Sequence, residues 1–193
     1  PGPQRESFHA AGRGGILTNG RGGSVSRPGP PFPSSSAVLP TCALSRLNAR
    51  EAFEASRTLV EMDPWKTLGY RPEWLLEYLL REDSCLFRYG MFHEERVCGV
   101  LCVRHPWLLG PYIEILAVFP DRQGQGWGRE VVRWIEDRAR PTSRNLWVTV
   151  SSFNQKARDF YLRTGFTEIG VLSNLVRKGF DEVLLRKELR PAT

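Results

Sequence analysis

The chain has 193 residues, 41% of them apolar and 25% charged, which suits one soluble domain with a substantial core. Its apolar runs fall far short of the roughly 20 residues a membrane-spanning helix needs, and no secretory pattern opens the chain, so a cytoplasmic address and no membrane partner are expected. The net charge of +6 looks like a nucleic-acid signature, but half of the excess sits in residues 1–40, where Arg5, Arg13, Arg21 and Arg27 face only Glu6, and the remainder is too weak to imply a nucleic-acid partner.

Residues 1–40 also hold seven of the 14 prolines and eight of the 18 glycines, with few large apolar side chains to offset the entropy of ordering. They read as a disordered tail, and its Gly and Pro content argues against a targeting helix. Because the chain opens on Pro1 rather than Met, a fragment or a stretch upstream of the native start is expected.

One domain is expected over residues 41–190. "NAREAFEASRTLVEM" sets Ala52, Phe53, Ser56, Leu59, Val60 and, less strictly, Met62 on one helical stripe behind Asn48 as N-cap, and "DPW" ends it. "RPEWLLEYLLRED" offers Pro72 in a first turn and Trp74, Leu75, Tyr78 and Leu79 at helical spacing. "CLFRYGMFH" and "RVCGVLCVRH" read as a hairpin about the charged "EE" turn, and "YIEILAVF" follows "PWLLGP" as a third antiparallel strand. Then come a helix over Arg129 to Arg140, the strand "NLWVTVSS", the helix "QKARDFYLRTG" closed by Gly165, and the strands "FTEIGVL" and "DEVLLRKEL" joined by the loop "SNLVRKGF". The sum is an α+β, or mixed α/β, domain. Cys42, Cys85, Cys98 and Cys102 match no zinc spacing, so reduced, mostly buried thiols and no metal are expected.

Between the third strand and its helix lies "RQGQGWGRE", with Gly124, Gly126 and Gly128 at every second position. Backbone N–H groups at a helix start are unpaired and lie at the positive end of its dipole, so glycines there suit an anion as well as a tight strand-to-helix turn. Both readings satisfy the pattern. The dinucleotide fingerprint GxGxxG fails, because Arg129 or Val131 stands where its last glycine should be, and no Lys-Ser or Lys-Thr makes a nucleotide-triphosphate loop.

"AVFPDRQGQGWGREVV" resembles the acetyl-coenzyme A motif of the GNAT N-acetyltransferases, [QR]xxGx[GA] after a strand ending in Val-x-Pro. Gln123, Gly126 and Gly128 fill its signature and Val118 and Pro120 its lead-in. A second family motif follows about 30 residues later, "NLWVTVSSFNQKARDFYLRTGF", with Asn154, Ala157, Tyr161, Gly165 and Phe166 at the family's spacing. The similarity runs from about Thr41 to Leu189, and "DPWKTLGY" also resembles a bacterial subgroup of the family whose acceptors have no assigned identity.

The resemblance implies a mostly antiparallel twisted sheet of about six to seven strands flanked by about four helices. It implies acetyl-coenzyme A as co-substrate, with its pyrophosphate on Gly124, Gln125, Gly126, Trp127, Gly128 and Arg129, Gln123 adding a side chain, and the pantetheine arm along Leu116, Ala117 and Val118 where two central strands part. Trp127 is bulkier than usual there and is expected to anchor the core. Asn154 is expected to touch the cofactor or cap its helix. The reaction implied is direct attack of an amine of a small molecule or peptide on the thioester, with Tyr161 as acid toward the departing thiolate and Glu114, sharing a face with Leu116 and Val118, as base; the alternative roles are an aromatic packed on the sheet and an exposed strand glutamate. His105 and Tyr112 are weaker choices for the base. Thr149 stands where the branch acetylating protein N-terminal alanine carries a catalytic glutamate, which counts against that acceptor. Trp65, Tyr70, Trp107 and Tyr112 are expected to line the acceptor pocket. Family members are often homodimers, although nothing in this chain marks an interface. A domain that binds acyl-coenzyme A as a sensor without turnover is the second expectation.

Overall fold

The computed structural model describes residues 31–33 and 36–189, so most of the tail expected over 1–40 lies outside the described residues. The elements in chain order are β1 (Ala37–Val38), β2 (Ala43–Ser45), α1 (Ala49–Leu59), α2 (Trp65–Leu68), α3 (Pro72–Leu80), β3 (Leu86–His93), β4 (Arg96–Trp107) and β5 (Gly110–Val118), then α4 (Trp127–Ala139), β6 (Asn145–Ser151), α5 (Gln155–Arg163), β7 (Thr167–Arg177) and β8 (Phe180–Glu188). No helix among the described residues is long and apolar enough to cross a membrane.

Local chemistry accounts for the helix ends. Asn48 Oδ1 accepts from the Glu51 N–H at 2.9 Å while Glu51 Oε2 accepts from the Asn48 N–H at 2.8 Å, a reciprocal cap that starts α1. Ala52, Ala55, Ser56 and Leu59 turn inward, whereas Phe53, expected on the same stripe, is about half exposed. The single turn of α2 falls in a stretch that reads as a plain joint, because four residues are too few to show a period. Asp63 holds it by accepting from the Thr67 hydroxyl at 2.6 Å.

Among the described residues, eight strands form one sheet in the order β1-β2-β3-β4-β5-β6-β8-β7, antiparallel except for β5 beside β6. This exceeds the six to seven strands implied, since β1 and β2 are too short to alternate visibly, and α2 raises the α-helices from four to five. The last hairpin is longer than expected. β7 runs through "SNLVR", leaving only Lys178 and Gly179, at φ 89°, to turn. Helices α4 and α5 cover one face with Val131, Ile135, Ala139 and Tyr161, and α1 and α3 cover the other with Ala52, Leu59, Leu75 and Leu79. Cys42, Cys98 and Cys102 are buried, Cys85 is partly exposed, and all four thiols are free.

The folded unit begins ahead of the boundary at residue 41 that composition set. Phe32 is fully buried, its ring 5.5 Å from that of Phe87 and 5.9 Å from that of Trp134, and the Tyr89 hydroxyl donates to the Pro33 carbonyl at 2.6 Å. Glu130 of α4 accepts from the Thr41 N–H at 3.1 Å and its hydroxyl at 2.7 Å. One aromatic side chain outweighs the Pro-rich composition around it. Phe32→Leu should therefore cost about 1 kcal/mol, read as a lower urea midpoint with an unchanged slope.

Two irregularities in the central strands position the site. β5 meets β6 only at Tyr112↔Trp147 and Ile113↔Val148, while β6 pairs with β8 along its whole length. From Glu114 onward β5 has a strand neighbour on the β4 side alone. Opposite this departure, Cys102 pairs with Ile115 and Val103 with Ile113, so Glu114 is an extra residue, a β-bulge.

Candidate active site

The parted strands leave backbone groups of β5 without a ladder on one side, and such groups call for a partner. The edge runs directly into the glycine loop. Gly124 and Gly126 have φ of 77° and 90°, conformations that side chains resist, and a Cβ at either would meet nothing within 4 Å. Gly126 is the N-cap of α4 without a side-chain cap, and the helical ladder starts only with the Glu130 N–H donating to the Gly126 carbonyl at 3.2 Å. The amides of Trp127, Gly128 and Arg129 therefore have no helical acceptor. A thirteen-residue helix presents open amides over clear space, which is what an extended ligand ending in phosphates requires.

Side chains around the loop divide between ligand and scaffold. Trp127 is buried against His93, ring centres 6.0 Å apart, with the Arg122 guanidinium 5.8 Å from its ring, so it anchors the core. Gly128 is tight for a different reason: a Cβ there would lie 3.1 Å from the Phe160 ring, so α4 and α5 pack through it. Gln123 ties the loop to its strand by donating from Nε2 to the Val118 carbonyl at 2.9 Å, and its Oε1 accepts from Lys156 at 2.6 Å. Lys156 thereby joins the loop from α5, a neighbour that sequence spacing does not disclose. Gln125 and Arg129 stay exposed. Asn154 caps α5 through Ala157 N–H at 3.1 Å.

The bulge overturns the expected direction of Glu114. Period-two alternation puts it with Leu116 and Val118, which pack toward α4, yet its carboxylate is bonded by the Tyr78 hydroxyl from α3 and by Arg104 from β4, on the opposite face. Arg104 also reaches Asp83 at 3.1 Å, and these acidic partners push its pKa up despite burial. Both oxygens of Glu114 are thus occupied, which favours a charge-holding role over direct proton abstraction. Glu114→Gln should lower stability by about 1–2 kcal/mol, seen in denaturant titration, because a partly buried ion pair loses one charge.

Tyr161 projects from α5 between the Phe160 and Phe166 rings, at 5.0 and 5.2 Å, and is 5% exposed. Its hydroxyl has no hydrogen bond among the described residues and is not sealed from the surface. Burial, and then the nearby Tyr112, push its pKa well above the ordinary tyrosine range. Tyr112 in turn shares a 2.6 Å hydrogen bond with Thr149 where β5 and β6 part, and stacks on Trp107 at 4.6 Å. Burial raises its pKa to about 12, Glu114 and Glu182 adding to the effect and the Thr149 hydrogen bond opposing it.

Of the four residues expected to line an acceptor pocket, Tyr112 and Trp107 come together, and Tyr70 lies close enough to Glu182 for that charge, after burial, to raise its pKa. Trp65 and Tyr70 both pack against the core beneath α1 and α3. His105 sits beside Phe32, ring centres 6.1 Å apart, and burial lowers its pKa. Sequence reasoning missed Glu182, which faces this region from β8 with its Oε1 accepting from Ser151 at 2.6 Å. In "FDEVLL" it alternates with Val183, whose side chain enters the opposite core, a pattern that by itself reads as an outward-facing residue.

Among curated proteins, none matches the sequence. Solved structures do match in fold. An acetyltransferase from Thermus thermophilus superposes with a TM-score of 0.63 at 19% identity, over 78% of this chain and 99% of that one. The ribosomal-protein-S18-alanine N-acetyltransferase of Escherichia coli gives 0.61 at 17%, over 79% and 97%. An aminoglycoside 6′-N-acetyltransferase complexed with coenzyme A gives 0.60 at 12%, over 78% and 98%. The model of the acetyltransferase (GNAT) family matches residues 48–166, more than half of the sequence and including both the glycine loop and α5. The chain belongs to the GNAT acetyltransferase family.

Proposed function

We propose that this protein transfers an acetyl group from acetyl-coenzyme A to a primary amine of a small molecule or peptide. The observation that carries the reading is the one-sided edge of β5 running into open amides at the start of α4, with the Tyr161 hydroxyl unbonded nearby. The amides of Gly124 to Arg129 would hold the pyrophosphate, and Leu116, Ala117 and Val118 would pair with the amides of the pantetheine arm. Gln123 and Lys156 stand at the mouth of the loop and Arg129 in the first turn of α4, where each can add a contact to phosphate. A relative of the same fold is complexed with coenzyme A, which supports this choice of donor.

When bound, the co-substrate supplies a thioester open to direct attack by the amine. Tyr161 would give its proton to the departing sulfur, so that a thiol leaves, and the proton shed by the newly acylated nitrogen would return through water to the tyrosinate; its raised pKa keeps the phenol protonated until then. Tyr112 and Thr149 hold the start of the strand gap in register. Coenzyme A binding by calorimetry, followed by thiol release with acetyl-coenzyme A and an amine panel, tests the reading. Saturable thiol release that depends on an amine is expected, and absence of coenzyme A binding would overturn it.

A further inference from the structure

We infer that Glu182 is the acceptor's ammonium site, and that it selects a single cationic amine carried on an apolar or aromatic body. The inference rests on the acetyltransferase reading and names the acceptor class for that same site. Two carboxylates are buried among the described residues, Glu136 at 5% exposure and Glu182 at 4%. Glu136 is met by two cations, Lys187 and Arg140. Glu182 has no cationic partner among the described residues, only the Ser151 hydroxyl on its Oε1. Its Oε2 has no hydrogen bond there and is not sealed from the surface. A buried carboxylate with one free, reachable oxygen and no resident cation is a site that a cationic ligand would complete.

Placement agrees with this chemistry. Ser151↔Glu182 and Thr149↔Leu184 are register pairs of β6 and β8, so Glu182 shares a face with Thr149 beside the gap that β5 leaves. The phenols of Tyr70 and Tyr112 both feel its charge, and Tyr112 is also the neighbour that acts on Tyr161. Burial raises the pKa of Glu182, against the Ser151 hydrogen bond, as expected of a carboxylate without a resident cation. Glu114 and Glu182 are the carboxylates among the described residues whose charge acts on Tyr112, and because Glu114 is already bonded by Arg104 and Tyr78, Glu182 is left to hold one ammonium, too little for a polycation. The rings of Tyr70, Trp74, Trp107 and Tyr112 supply apolar surface for the rest of the acceptor.

The test is calorimetric binding of tyramine, 2-phenylethanol and spermidine to protein saturated with coenzyme A. Wild type should bind tyramine at least about ten-fold more tightly than either of the others. Glu182→Gln, which keeps an oxygen for Ser151, should weaken tyramine by about ten-fold or more while coenzyme A affinity stays within about two-fold. Its melting temperature should not fall, since it removes an uncompensated buried charge; should it melt early, Glu182→Met gives the same comparison. Equal tyramine affinity in wild type and variant, or a wild-type preference for spermidine, would overturn the site. Failure of wild type to bind coenzyme A at all would instead overturn the acetyltransferase reading beneath it.

Discussion

Tyr161→Phe should lower kcat by about 100-fold or more while coenzyme A affinity stays within about two-fold. The variant removes only a hydroxyl, and that hydroxyl makes no hydrogen bond among the described residues, so no buried partner is orphaned. The ring keeps its contacts with Phe160 and Phe166, and the melting temperature should hardly move. What disappears is a proton donor whose pKa, raised by burial and by Tyr112, keeps it neutral through the physiological range. A purely structural tyrosine gives the opposite pattern, with rate retained. A kcat that does not change would assign Tyr161 to packing and favour a binding domain without turnover.

Gly126→Val should reduce coenzyme A affinity by about 100-fold, with little change in the fold elsewhere. Two effects add. At φ 90° a branched side chain is strained by about 1–2 kcal/mol, which shifts the loop away from the geometry that aligns the α4 amides. The new side chain also enters space that is clear to 4 Å, where phosphate oxygens would lie. Gly128→Ala provides the contrast. Its Cβ meets the Phe160 ring at 3.1 Å, so the cost of about 1 kcal/mol should fall on stability, with a smaller effect on the cofactor. Calorimetry and thermal melts on the pair separate cradle from scaffold, and equal affinity losses would remove the distinction.

Features that depend on backbone conformation were legible in the sequence. Positive φ at Gly124 and Gly126 leaves few alternatives to glycine, and the Asn48 and Asn154 caps announce their helices within three residues. The departure of β5 from β6 followed from the resemblance and is present in the register. The direction of Glu114 was not legible, because one inserted residue reverses the face of a strand and leaves no mark in composition. Glu182 was hidden by the opposite habit: a polar residue alternating with Val183 and Leu185 reads as solvent-facing, whereas this outer face is covered by the α2–α3 region. Phe32 escaped because Pro and Ser dominate its surroundings, and the Lys156 to Gln123 contact spans 33 residues that no period connects.

The two-pair junction of β5 and β6 has a consequence for solubility. Open strand edges usually lie at the rim of a sheet, where they invite other chains and must be blunted with charge, proline or bulges. Here such an edge lies in the middle of the sheet, guarded on one side by β4 and facing β6 across a wedge. Another folded protein cannot bring a strand into that wedge, because strands on both sides already occupy the approach. A single thin, unbranched chain carrying its own amides can enter. The fold thus keeps an unsatisfied backbone in its interior without the aggregation risk that the same backbone would carry outside.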